Sequence, residues 1–209
     1  MHGVVDSVHW KDTLSSPDEA VRAKGFAGLE TAIRDCKFYG GTTALLVPGV
    51  VNKDVTYEQA FERSQAEVKK ALPLAKESGV KIAIEVVWNN FITTPDQLCE
   101  YIDAFHSDSV GAYFDCSNML KYGVSAADWI RKLDKRLLKF DFKGYHIPTK
   151  KWVAIGEGSE EWPDVLKALN DVGYLDRPEG GWATSEVGGG GEEHLTKVYQ
   201  QMRKVLGMA

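Results

Sequence analysis

Cysteine is scarce in this 209-residue chain: Cys36, Cys99 and Cys116 are odd in number, widely spaced and free of any CxxC pattern. That spacing excludes a disulfide framework and a thiolate zinc site, and leaves three buried thiols. No apolar run is long enough to cross a bilayer, so no membrane partner is expected. A basic stripe interleaved with aromatics is also missing, and the formal charge is −5, which argues against a nucleic-acid backbone as partner. The opening MHGVVDSVHW is too short and too polar for a secretory leader, so the expected location is cytoplasmic.

What the chain does have is four strand-like segments that each end in a carboxylate: Glu85 after KIAI, Asp115 after GAYF, Asp141 after LLKF and Glu186 after GWATS. Helical segments separate them, so parallel pairing would gather all four acids at one end of a sheet. Clustered carboxylates repel one another and raise their own pKa values, so the arrangement makes most physical sense around a divalent ion. The competing explanation treats each acid as a helix cap or ion-pair partner after its strand.

Periodicity places strands at 4–10, 42–49, 81–88, 111–118, 137–144 and 182–187. Between them lie a helical stretch after residue 14, with Ser16 as cap and Pro17 in its first turn, and helices near 57–78, 95–105, 125–133, 161–171 and 192–206. Residues 145–160 form the longest irregular stretch, with the GEG at 156–158 inside it. Strands this apolar on both faces belong to a parallel sheet covered by helices. Acids after four successive strands favour a barrel, which converges them on its axis, over an open sheet with one switch point. The expectation is one α/β domain over residues 1–209, a (β/α) barrel with about six of eight units and the first two missing.

The residues that carry a family likeness are IAIE at 82–85, YFDCSN at 113–118, KFDFKGY at 139–145, GEGSEEW at 156–162 and GWATSEV at 181–187. In that order and spacing the chain resembles the xylose isomerase-like TIM barrels, the sugar phosphate isomerase/epimerase superfamily. The resemblance implies strands three to eight of the barrel and one divalent ion held by Glu85, Asp115, Asp141 and Glu186. Two departures stand out. Asp141 occupies a position where the epimerases usually carry His, with His146 as fallback ligand, and Asn118 stands where they often place a substrate-binding His. An all-oxygen set favours a hard ion, Mn²⁺ or Mg²⁺, over zinc.

Shifting a carbonyl or inverting the centre beside it needs a base, an acid and stabilisation of an enediolate. Glu85 and Glu186 are the expected acid/base pair. Lys143 shares a strand face with Asp141 and could neutralise oxyanion charge or bind a phosphate. Trp88 and Asn89 follow Glu85 on the loop side, and His9 ends the first strand; all three are candidate substrate contacts, as is Glu157 in the GEG turn. Each has a structural alternative: core packing for Trp88, a strand-end residue for His9, a solvated lysine for Lys143 and a turn residue for Glu157. His106 and His194 read as surface residues.

The function expected is therefore a metal-dependent isomerase or epimerase of a small sugar, sugar phosphate or keto acid. Alternatives are a dehydratase of a keto-inositol or keto-sugar using the same enolate route, and a non-catalytic barrel-derived binding protein. Phosphodiester cleavage in the manner of endonuclease IV is disfavoured by the lack of a histidine-rich cluster and of a basic face. A six-stranded barrel leaves sheet edges, so a homo-oligomer is expected.

Overall fold

The alternation of apolar strand and amphipathic helix read from the sequence is the architecture found in a computed structural model, which describes residues 2–177 and 181–208. Backbone contacts divide the chain into two compact units, one ending at Tyr113 and the other starting at Phe114.

In the first unit, β1 (Gly3–Val5), β2 (Thr43–Leu46), β3 (Lys81–Glu85) and β4 (Val110–Asp115) run parallel. Three helices connect them: α1 (Glu19–Phe38), α2 (Tyr57–Ser78) and α3 (Pro95–Asp103). Helix α2 starts where Thr56 and Gln59 close a reciprocal capping box, and it stops at Gly79, whose φ of 69° only glycine adopts without strain. Thr94 and Gln97 repeat the box at α3, with Pro95 in the first turn. The α1 cap differs from expectation. Asp18, not Ser16, accepts from the Ala20 amide, while the Ser16 hydroxyl accepts from the Asp18 amide and so braces the cap from outside the helix.

Leu29 and Ile33 of α1, Val68 and Ala71 of α2, and Leu46, Ile82 and Ile84 of the strands are fully buried. Each such large aliphatic contributes about 1.5–3 kcal/mol through removal from water. Strand β1 is shorter than the 4–10 expected. The Asp6 carboxylate accepts from the Val8 amide two residues on, and that local bond turns the chain out of the extended conformation.

The second unit contains the end of β4, then α4 (Ala126–Leu133), β5 (Leu137–Phe142), a two-stranded hairpin of β6 (Tyr145–His146) and β7 (Lys151–Trp152), α5 (Trp162–Asp171), β8 (Ala183–Ser185) and α6 (Glu192–Val205). The amide of Cys116, just past β4, donates to the Asp141 carbonyl, and β8 pairs parallel with β5 in the register Asp141↔Thr184. The strand order is β1-β2-β3-β4-β5-β8. Six parallel strands alternating with helices are an incomplete (β/α) barrel, two short of the usual eight. The hairpin β6–β7 occupies the stretch expected to be irregular.

Candidate active site

Strand alternation decides which way the acids face. Phe142 stacks on Trp162 of α5 at 5.0 Å, and Phe114 stacks on Trp129 of α4 at 5.9 Å, so these positions face the helices. Their neighbours Asp115, Asp141 and Lys143 therefore belong to the opposite face.

Asp115 is almost completely buried. Its Oδ1 accepts from the amides of Ser117 and Asn118 at 2.7 and 2.9 Å, which fixes the carboxylate at the start of the following 3₁₀ turn. Its Oδ2 is buried and accepts no hydrogen bond. The nearest cation is the Lys143 ammonium, with Nζ 3.4 Å from that oxygen and 2.9 Å from Glu186 Oε1. One carboxylate oxygen of Asp115 lies within 4.8 Å of one of Glu186. The same ammonium reaches Asn118 Oδ1 at 3.4 Å and sits 4.2 Å over the Trp152 ring.

Burial pushes the Asp115 carboxyl well above the usual carboxylate range, with the Lys143 charge pulling it back down. Burial works to lower Lys143, yet the charges of Asp115 and Glu186 outweigh it and hold the ammonium above its ordinary value. The lysine is thus a fixed cation, and its charge offsets the cost of ionising Asp115 in a dry site.

Asp141 is also buried, but its Oδ1 accepts from the hydroxyl of Thr184, its in-register neighbour on β8. It does not belong to the group of close ligand atoms that contains Asp115 and Glu186. The fallback His146 pairs Nδ1 with Thr149 Oγ1 at 2.8 Å inside the hairpin turn. Asn118 is buried, and its Oδ1 accepts from the Lys143 ammonium.

In the first unit, Glu85 is buried at the end of β3 and stands in register with Tyr113 of β4. Asn89 ties loops together. Its Nδ2 donates to the Gly49 carbonyl, its Oδ1 accepts from the Phe91 amide, and its carbonyl accepts from the Val51 amide. Those bonds lock the loop after β3 to the loop after β2 and leave little of the side-chain amide for a sugar hydroxyl. Trp88 is 38% exposed on the same loop. His9 lies past the end of β1 and is buried; the Val47 amide donates to its Nδ1, and burial lowers its pKa to about 4. Glu157 is exposed in its turn, with its amide bonded to the Ala154 carbonyl.

Two residues important to the second unit carry little signal in the sequence. Glu160 is buried, and its Oε1 accepts from Ser117 Oγ at 2.7 Å and from the Tyr145 amide at 2.6 Å, clamping the hairpin to the turn after β4. It stands in a run of three polar residues that reads as loop. His194 is exposed as expected, yet it lines a cavity with Lys143 and Glu186.

A parallel (β/α) sheet with buried acid at the carboxyl ends of its strands is the arrangement of a (β/α) barrel protein. The chain belongs to the xylose isomerase-like TIM barrel family, whose profile matches residues 5–206. An inosose isomerase from Bacillus licheniformis is 27% identical over 154 residues, covering 68% of this chain and 54% of that protein. The chain thus spans about half the length of that curated relative. Among solved structures, the IolI protein with a bound zinc atom aligns at a TM-score of 0.80 with 19% identity, over 99% of this chain and 75% of that one. L-ribulose 3-epimerase aligns at 0.73 with 22% identity, over 95% and 65%. D-psicose 3-epimerase in the presence of D-fructose aligns at 0.71 with 21% identity, over 94% and 73%. These structural likenesses establish the fold.

Proposed function

We propose that the chain is an isomerase or epimerase of a small sugar, sugar phosphate or keto acid, working by proton transfer at the carbon beside a carbonyl. The observation that carries this reading is the buried, hydrogen-bond-free Oδ2 of Asp115, faced by Lys143 and close to Glu186. That oxygen takes no hydrogen bond and shares the Lys143 charge with Glu186, which leaves it with acceptor capacity for a divalent ion. The oxygen-only donor set suits a hard divalent ion, with Mn²⁺ or Mg²⁺ as the proposed choice. Asp115 and Glu186 would hold it, with Glu85 as third ligand. Asp141 stays in the proposed set as a fourth ligand, one that must exchange its Thr184 bond. When bound, the ion supplies electrostatic stabilisation of enediolate charge.

Glu186 has its carboxylate half exposed, so it is accessible to substrate and serves as the base. Lys143, paired with it at 2.9 Å, can neutralise charge growing on a substrate oxygen. Glu85 is proposed to deliver the proton on the return step. The names of the relatives, an inosose isomerase and two ketose epimerases, support the substrate class.

A second reading, dehydration of a keto-inositol or keto-sugar, is favoured by one feature. The Lys143 ammonium sits beside Glu186, where it could protonate a departing hydroxyl. Loss of water from the product separates the two.

Elemental analysis tests the metal part directly. Wild-type protein is expected to carry one manganese or magnesium per chain, and Asp115→Asn and Glu186→Gln to lose it while circular dichroism stays unchanged. Wild type that binds no divalent ion would overturn the proposed centre.

A further inference from the structure

Beside Lys143 and Glu186 the second unit contains a cavity of about 590 Å³, within the range of small-molecule sites. Its polar lining comes from Lys143, Glu186, His194, Lys197 and Gln201, with Trp152 as the aromatic wall. Lys143 is already engaged with two carboxylates. Lys197 is exposed, and among the described residues no ion pair or hydrogen bond engages its ammonium. It stands in the second turn of α6, and helical side chains lean back toward the N-terminus, so it reaches toward the first turn and the cavity. That first turn follows Gly191, which provides no side-chain cap. His194 Nε2 is engaged by the Gly188 carbonyl at 2.8 Å, which leaves Nδ1 as its other polar atom. Opposing charge within the cavity comes from Glu186, which is paired with Lys143, while Glu192 and Glu193 in the first turn of α6 do not line it.

We infer that this cavity binds the oxyanion end of the substrate, a phosphate ester or a carboxylate, with Lys197 as the charged contact. The inference deepens the proposed function and rests on it for the placement of the reacting end at Glu186 and Lys143. The Lys197 ammonium on one side and Lys143 with Glu186 on the other fit a substrate with an anion at the end remote from its carbonyl. Neutral ketoses would lack that anchor.

Binding can be measured without turnover, by titration calorimetry with inorganic phosphate and, separately, with acetate. Wild type is expected to bind at least one of the two saturably, phosphate pointing to a sugar phosphate and acetate to a sugar acid. Lys197→Gln should weaken that binding about tenfold, the equivalent of one charge-assisted hydrogen bond. Lys204→Gln, an exposed lysine two turns further along α6, should leave it unchanged. Absence of saturable binding of both anions to wild type, or equal binding by Lys197→Gln, overturns the inference and says nothing against isomerisation. Loss of isomerisation with anion binding intact would instead count against the proposed chemistry.

Discussion

At the scale of single residues the second unit holds buried charge beside a counter-charge. Lys143 is the clearest case. Replacing it with Met leaves Asp115 buried without its counter-charge, and removing one member of a buried pair typically costs about 3–5 kcal/mol. Urea unfolding of Lys143→Met should show a loss of that order, partly relieved because Glu186 is half exposed. A loss below about 1 kcal/mol, the value of a surface pair, would mean the ammonium does not neutralise Asp115.

Asp6 and His9 provide a second residue-scale test, because burial moves both in ways that oppose each other in pH. Burial lifts Asp6 from 3.8 to about 6, against a weaker pull from the Val8 amide, and lowers His9 from 6.5 to about 4. The Asp6 contribution to stability is present below pH 3.8 and is lost as pH rises to about 6. The His9 contribution is present above pH 6.5 and is lost as pH falls to about 4. Each is worth about 3 kcal/mol at most, and in the wild type they largely cancel. Asp6→Asn should therefore be stabilised at pH 7 and lose stability steeply from pH 6.5 down to 4, while His9→Asn should lose stability as pH rises from 4 to 6. Parallel pH profiles for the two variants would contradict this. Neither shift is legible in the sequence, because both arise from burial by residues distant along the chain. A strand drawn through 4–10 puts His9 at the mouth of the barrel, whereas the turn at Asp6 takes it into the packing between loops.

Among the elements, those with local chemistry are readable and those built by distant contacts are not. Helix α2 is expected at 57–78 and lies at Tyr57–Ser78, because a capping box opens it and a left-handed glycine closes it. Strand ends blur by a few residues, since apolar runs such as KIAIEVVW continue past the point where hydrogen bonding ends at Glu85. The β6–β7 hairpin escapes a reading of local pattern because Glu160, far along the chain, holds it in place through Tyr145 and Ser117. Removing that clamp with Glu160→Ala should leave α4 and α5 intact and raise amide exchange at Tyr145, whose hydrogen-bond acceptor is lost. Unchanged exchange there would show that the hairpin stands without Glu160. Gly144 supports the same element. A Cβ there would meet the carbonyl oxygens of Ala154 and Val153 at 2.5 and 2.7 Å, so Gly144→Ala should cost about 1–3 kcal/mol in thermal or urea unfolding.

For the molecule as a whole, the class of fold is legible because strand and helix alternate along the chain and four strands carry an acid at or near their carboxyl end, a pattern that favours a barrel over an open sheet. Which acids act together is less legible. Sequence spacing treats Asp115 and Asp141 alike, and only the cross-strand register reveals Thr184 opposite Asp141. Strand β1 stands at one end of the strand order, with Val5 58% exposed and Phe38 at the end of α1 81% exposed. Edge strands and large exposed apolar groups favour pairing, so light scattering at micromolar concentration is expected to report a dimer or higher species. A monodisperse monomer would contradict that expectation.

Proton transfer beside a carbonyl by Glu186, at a metal-loaded centre, is the chemistry proposed for this chain. Its most direct measurement is solvent deuterium exchange into ketoses and keto acids, with and without a terminal phosphate, followed by proton NMR. Wild type loaded with Mn²⁺ is predicted to exchange the proton next to the carbonyl in at least one of them. Glu186→Gln should lower that rate about 10²–10⁴-fold, and chelation should abolish it. No exchange by metal-loaded wild type across the set, or full exchange by Glu186→Gln, would contradict the account.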